Sequence, residues 1–189
     1  FTWEEGTWVR GIDEERKRKM EEPIISGVVH DVGEAKMTLL GVPDRPGVSA
    51  LLFESLAAAN VNVDMIVQNT SIDGTTDISF TLPIGDIKTA EPILKKVGDE
   101  VGATGINKDE NIVKLSLVGA GMKSSPGIAA KMFRVLADNA VNIEMISTST
   151  IRISVVVERS QLEKAVRALH TAFDLDSGED YSAPLPDRK

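Results

Sequence analysis

The chain has no cysteine and only two histidines among its 189 residues. Without a thiol there is no disulfide, no thiolate metal site, no CxxC redox pair and no cysteine nucleophile. Two imidazoles are too few for a His-built zinc site, and a Ser-His-Asp triad would have to use His30 or His170. Neither has a GxSxG elbow or an HExxH partner, so both read as structural or surface residues. Basic residues are in deficit, 21 Lys and Arg against 29 Asp and Glu, and the net charge of −8 opposes nucleic-acid binding. No apolar run approaches the ~18 residues of a membrane span. The first residues show no apolar stretch before a small-residue cleavage site, so a cytoplasmic protein is expected. No Gly-Lys-Ser/Thr loop exists; Gly119-Ala120-Gly121 hints at a dinucleotide loop, but Ser124 stands where the third glycine belongs. No carboxylate pair is set up for acid–base work, and no active site is expected.

What is present is a repeat. Pro46-Gly47, Phe53, Leu56-Ala57 and Val61-Asn62-Val63-Asp64-Met65-Ile66 recur 80 residues later as Pro126-Gly127, Phe133, Leu136-Ala137 and Val141-Asn142-Ile143-Glu144-Met145-Ile146. The chain holds two copies of one unit. In the first, residues 36–42 read as a strand and Asp44-Arg45-Pro46-Gly47 as a turn. Helical spacing follows over 48–60, then strands at 61–70 and 76–82 about a turn at 72–75, an amphipathic helix over 87–101 and a short strand at 103–107. That order is β-α-β-β-α-β, an α+β ferredoxin-like unit. The second copy offers strands at 111–117, 142–147 and 151–158 and helices at 127–139 and 161–173, with no good strand after the last helix. Residues 23–30 are strand-like and lie outside the first unit. We expect them to complete the second sheet, so that unit one (35–108) is inserted inside unit two (23–31 plus 109–174). Residues 1–22 read as a linker with nine charges in ten between 13 and 22, and 175–189 as a flexible tail.

Where the first strand of each unit meets its helix, backbone N–H groups stand behind a Pro-Gly turn and suit a carboxylate. Asp44 beside them can pair with an ammonium, while Asn62, Asp64 and Gln68 project from the next strand. Such a set describes an amino-acid site. The plainer reading is a turn with a helix cap, but the recurrence of loop and Asn-x-acid strand in both copies favours a ligand.

These residues carry a resemblance. Asp44-Arg45-Pro46-Gly47, Asn62-Val63-Asp64-Met65-Ile66-Val67-Gln68-Asn69, Gly74-Thr75-Thr76-Asp77-Ile78-Ser79-Phe80-Thr81, Lys114-Leu115-Ser116-Leu117-Val118-Gly119-Ala120-Gly121-Met122-Lys123-Ser124, Ile143-Glu144-Met145-Ile146-Ser147-Thr148-Ser149 and Ile151-Arg152-Ile153-Ser154-Val155 closely resemble the tandem regulatory ACT domains of aspartate kinase. The likeness runs over about 23–175 and is nearest to the actinobacterial type with a separately translated regulatory subunit. In that type the subunit begins near Met20, and residues 1–9 resemble the end of the kinase domain. The resemblance implies feedback control of aspartyl phosphate formation, with threonine and/or lysine bound at ACT–ACT interfaces. It implies a homodimer through the ACT domains, a catalytic kinase partner, and ATP and magnesium confined to that absent part. This chain would then need no cofactor and be inactive alone. Carried over by match, the effector contacts are Asp44, Arg45, Pro46, Gly47, Val48 and Ser49, then Asn62, Val63, Asp64 and Gln68. In the second unit they are Ile128, Ala129, Asn142, Ile143, Ser149 and Thr150.

Departures stand at four places. The family usually has threonine at 129, glutamate at 150 and glycine at 113, and the loop after Ser71 is two residues short. Losing a buried hydroxyl and carboxylate would weaken effector binding by ~1–3 kcal/mol each, unless water or Ser149 takes over. An effector-insensitive ACT module that only assembles with and stabilises the catalytic subunit is the alternative.

Overall fold

The computed structural model describes residues 24–69, 74–120, 125 and 127–175. The expected linker, the tip of the 72–75 turn, residues 121–124 and nearly all of the C-terminal tail lie outside these. The first strand, β1 (Ile24–Asp31), is followed by β2 (Glu34–Pro43), α1 (Val48–Ala58), β3 (Ile66–Gln68), β4 (Thr75–Pro83), α2 (Ile87–Val101) and β5 (Gly105–Asp109). The second copy runs β6 (Ile112–Ala120), α3 (Gly127–Asp138), β7 (Met145–Thr148), β8 (Arg152–Glu158) and α4 (Leu162–Ala172).

Two four-stranded antiparallel sheets result, ordered β3-β4-β2-β5 and β1-β6-β8-β7. Both have the strand order of a ferredoxin-like unit, with β1 in the place a strand after α4 would fill. The described residues therefore begin in the second sheet, leave it to build the first, and return. The two crossings are Val32–Gly33 and Glu110–Asn111, and each is closed by an Asx turn. Asp31 Oδ1 accepts from the Gly33 N–H and Asp109 Oδ1 from the Asn111 N–H, both at 2.8 Å. Arg159 holds both crossings. Its guanidinium donates to the Val32 carbonyl at 2.6 Å and its backbone N–H to the Asn111 carbonyl at 2.9 Å.

Period-2 alternation sends one face of each central strand to its helices. Met37, Leu39, Phe80 and Leu82 meet Leu52, Leu56 and Leu94 in one core, with Phe53 edge-on to Phe80 at 5.6 Å. Leu115, Leu117, Val155 and Val157 meet Met132, Leu136 and Leu169 in the other. The opposite faces turn toward each other. Ile112 and Val156 cluster there with Met65, Met145 and Val67. Hydroxyls directly across the central strands on these faces satisfy one another in pairs: Thr38 with Ser79 at 2.9 Å, Ser116 with Ser154 at 2.8 Å.

The expected strands at 61–70 and 142–147 are shorter, because the chain leaves each helix through a left-handed residue. Asn60 has φ 58° and Ala140 φ 52°. The next N–H returns to the helix, Val61 to the Leu56 carbonyl at 3.0 Å and Val141 to that of Leu136 at 2.9 Å. This is a Schellman closure with the apolar contact it calls for. The last strand of unit one begins at Gly105, two residues later than the 103–107 expected. Among the described residues no helix is long and apolar enough to cross a membrane.

Asn tolerates the left-handed region, whereas Ala is strained there by roughly 1–2 kcal/mol, partly offset by the greater unfolded-state freedom of Gly. Ala140→Gly should therefore stabilise the chain by about 0.5–1 kcal/mol, read as a higher urea midpoint with an unchanged m-value.

Candidate functional site

The expected contacts fall at two ends of each sheet. At one end of unit one, Gly47 takes φ 99° ahead of α1, a conformation open to glycine, and no side chain caps the helix. The first-turn N–H groups are thus unclaimed by any side chain, as an anion site requires. Asp44, Arg45 and Pro46 are exposed around the turn, and the Asp44 N–H donates to the Gly74 carbonyl at 2.9 Å. Ser49 donates its hydroxyl to Gln68 Oε1 at 2.7 Å, which fixes Gln68 beside the loop. Val48 is 4% exposed and belongs to the core.

Asn62, Val63 and Asp64 are elsewhere. A β-α-β crossover returns the chain to the end where β2 began, so the residues after α1 lie opposite the loop before it. The Asp64 N–H donates to Thr81, whereas Asp44 donates to Gly74. Seven residues of an extended strand separate these acceptors, about 23 Å at ~3.3 Å per residue. Asp64 therefore does not join Asp44 and Gln68 within one chain. Asn62 is exposed, and Val63 is half-buried against the first core.

The second unit repeats this split. Ile128 is a core residue and Ala129 packs against the same core. Ser149 donates its N–H to the Arg152 carbonyl at 2.7 Å, and Thr150 beside it is exposed. Asn142 is exposed and Ile143 half-buried at the other end. His30 is exposed, and His170 half-buried on α4.

A cavity of about 300 Å³ takes in Asn62 and Asp64 but nothing of the Pro-Gly loop; Asp31, Gly33, Glu34, Leu82 and Pro83 complete its lining. Three residues, Lys36, Lys114 and Glu34, were not singled out by the sequence reading of the site. Lys36 on β2 pairs with Glu144 of unit two, while Lys114 on β6 pairs with both Glu34 and Asp64 of unit one. Each lysine thus reaches across the sheet–sheet junction to the acid of the other copy's Asn-x-acid segment. Asp31 lies 4.0 Å from Lys114 as well. The available signal was a lone lysine amid apolar residues in Ala35-Lys36-Met37 and again in Val113-Lys114-Leu115. Among the described residues no group of three or more His, Asp and Glu is placed to hold a metal ion.

Burial works against the Lys114 ammonium, but hydrogen bonds and charge from Asp64 and Glu34 outweigh it and raise the pKa above its ordinary 10.5. A raised pKa contributes stability fully present below the unfolded value and lost as pH rises through the folded one. The melting temperature should therefore fall above pH 10.5. The fall should be shallower in Lys114→Met, measured side by side.

A family model described as the ACT domain matches residues 38–97 and 115–173. Aspartate kinase of Pseudomonas fluorescens is 51% identical over 166 residues, covering 88% of this chain and 40% of that protein. The chain thus spans about 40% of the length of such relatives. Among solved structures, a chain of the aspartokinase alpha and beta subunits superposes with a TM-score of 0.75 at 46% identity, over 80% of this chain and 99% of that one. The ligand-free regulatory subunit of aspartate kinase from Thermus thermophilus superposes with a TM-score of 0.75 at 38% identity, over 79% and 98%.

Proposed function

Because the chain belongs to the ACT-domain family, in the regulatory pair found in aspartate kinases, we propose that it binds threonine, lysine or both. Through that binding it would exert feedback control on a catalytic kinase partner in the cytoplasm. ATP, magnesium and aspartate belong to that partner, and this chain acts as sensor without a cofactor of its own.

The observation that carries the reading is the split of the contact set. The charged ends of an amino acid are only a few ångströms apart, far less than the span between the Asp44 loop and Asp64. A second copy of the chain solves the geometry by laying its Asn62–Asp64 or Asn142–Ile143 segment against the first copy's loop. The edges support it. β3 and β7 are outermost strands, and they expose Ile66 at 48% and Ile146 at 44%, equivalent residues of the two units. Open apolar edges are pairing surfaces that a monomer would have reason to blunt.

One observation favours the effector-insensitive module instead: Asp64 is already engaged by Lys114, and the Ala129 side chain offers no hydrogen-bonding group. Thermal melting separates the two. With threonine, lysine, methionine and aspartate each at millimolar concentration, only a sensor is stabilised, by about 2.7 kcal/mol at a hundred times Kd. We expect threonine or lysine to raise Tm, and Asp44→Ala or Gln68→Ala to weaken binding by ~1–3 kcal/mol. No shift with any of the four would point to a desensitised module or to a site completed only by the kinase subunit. Recovery in Ala129→Thr with Thr150→Glu would then trace the loss to those two positions.

A further inference from the structure

The two bridges across the sheet–sheet junction are unequal. Lys36 has one acid, Glu144, and both side chains are largely buried, at 17% and 21% exposure. Among the described residues no other carboxylate is within ion-pair reach of Lys36. Lys114, at 11%, has two hydrogen-bonded acids that differ sharply in burial: Glu34 at 10% and Asp64 at 52%. The inequality is written in the repeat. Glu34 occupies the place that Ile112 holds in the second copy, so only Lys114 gains a buried second acid. The Asn-x-acid segment ends in Asp64 in one copy and Glu144 in the other.

Removing Glu144 from Lys36 would strand a mostly buried ammonium, a large penalty in a poorly solvated place. Removing Asp64 from Lys114 leaves the ammonium paired with Glu34, and Asp64 is exposed enough for solvent or another cation to take it at small cost. Asp64 can detach and Glu144 cannot.

We infer that Asp64 is an acid shared between Lys114 and the amino group of a bound effector. Capture of Asp64 by that amine takes one of the two unit-one acids from Lys114, while Glu34 still holds that bridge and the Lys36–Glu144 bridge is untouched. The inference rests on the effector reading above and assigns that reading a relay. Unit one, through Asp64, both senses the amine and loosens its hold on unit two. Unit two, whose acid is locked, can contribute only neutral contacts such as Asn142. The two units are then unequal sensors, and the cavity beside Asp64 is where an ammonium competes with Lys114.

Two measurements on the full chain test this, one without ligand. In urea unfolding, Asp64→Asn should lower the folding equilibrium constant by less than about fivefold. Glu144→Gln should lower it by at least about a hundredfold. Equal losses would overturn the inequality. In the second, L-threonine and L-lysine are titrated calorimetrically into wild type and two paired variants. Lys114→Met with Glu34→Gln frees Asp64 without leaving a buried carboxylate unpaired, and should tighten binding by about threefold or more. Lys36→Met with Glu144→Gln should leave Kd unchanged. Unchanged or weaker binding in the first pair, or equal tightening in both, would overturn the competition. If neither amino acid binds any of the three proteins, the effector reading itself fails and the relay with it, whereas the unfolding comparison still decides the inequality of the bridges.

Discussion

A lysine near the start of a central strand, on the face that its sheet buries, cannot be left without an acid. Lys36 and Lys114 are both such residues, and the acids that hydrogen-bond them come from the other unit, with Asp31 of its own unit only at 4.0 Å from Lys114. Each must look to the other sheet, and the faces turned away from the helices are therefore brought together. Once they meet, Met65, Met145, Ile112 and Val156 pack together there, and the hydroxyls on the same faces satisfy one another in pairs. The hydrophobic contact supplies the attraction, while the crossed ion pairs set which way round the units sit. Many apolar faces would stick together, but few arrangements satisfy both ammonium groups.

The same arrangement divides the work of each unit between its two ends. In unit one the Asp44 loop, with its open helix N–H groups, lies exposed at one end, and the Asn-x-acid segments of both units face the junction. A ligand contact made at the junction end touches the groups that hold the two units together. A contact at the loop end touches only a turn. That division lets a small molecule matter to the placement of whole domains, since an allosteric ligand can act only through contacts that differ between states.

The helices and cores were legible because the 80-residue repeat carried their packing residues in register. Leu52 and Met132, Leu56 and Leu136, Val61 and Val141 all lie in the two cores as equivalents. The span 87–101 was read as a helix and is one, ending at Gly102 in the left-handed conformation the glycine invites. The site was only half legible. The Asp44 loop and Gln68 do come together, because Gln68 lies far enough along β3 to return to the loop's end. Asn62 and Asp64 do not, and the crossover rule alone could have said so. The bridges could not be read at all: Lys36 and Lys114 stand 78 residues apart, out of step with the 80 of the loops and helices, and a single lysine in an apolar strand ordinarily reaches to water.

The insertion of one unit into the other bears on how the chain acquires its structure. β1 and β6 pair although Ile24 and Ala120 are nearly a hundred residues apart, and closing so long a loop is entropically unfavourable and slow. Unit one removes that difficulty by folding. Its first and last strands, β2 and β5, are hydrogen-bonded neighbours, with Lys36 opposite Asp109. Once they zip together, the two-residue crossings at Val32–Gly33 and Glu110–Asn111 emerge side by side, and β1 and β6 are delivered to one another as if joined by a short hairpin. The inner domain serves as the turn of the outer one. Folding is thereby ordered from the inside out, and on a ribosome the N-terminal strand must wait, unpaired, until the inner domain and β6 have both been made.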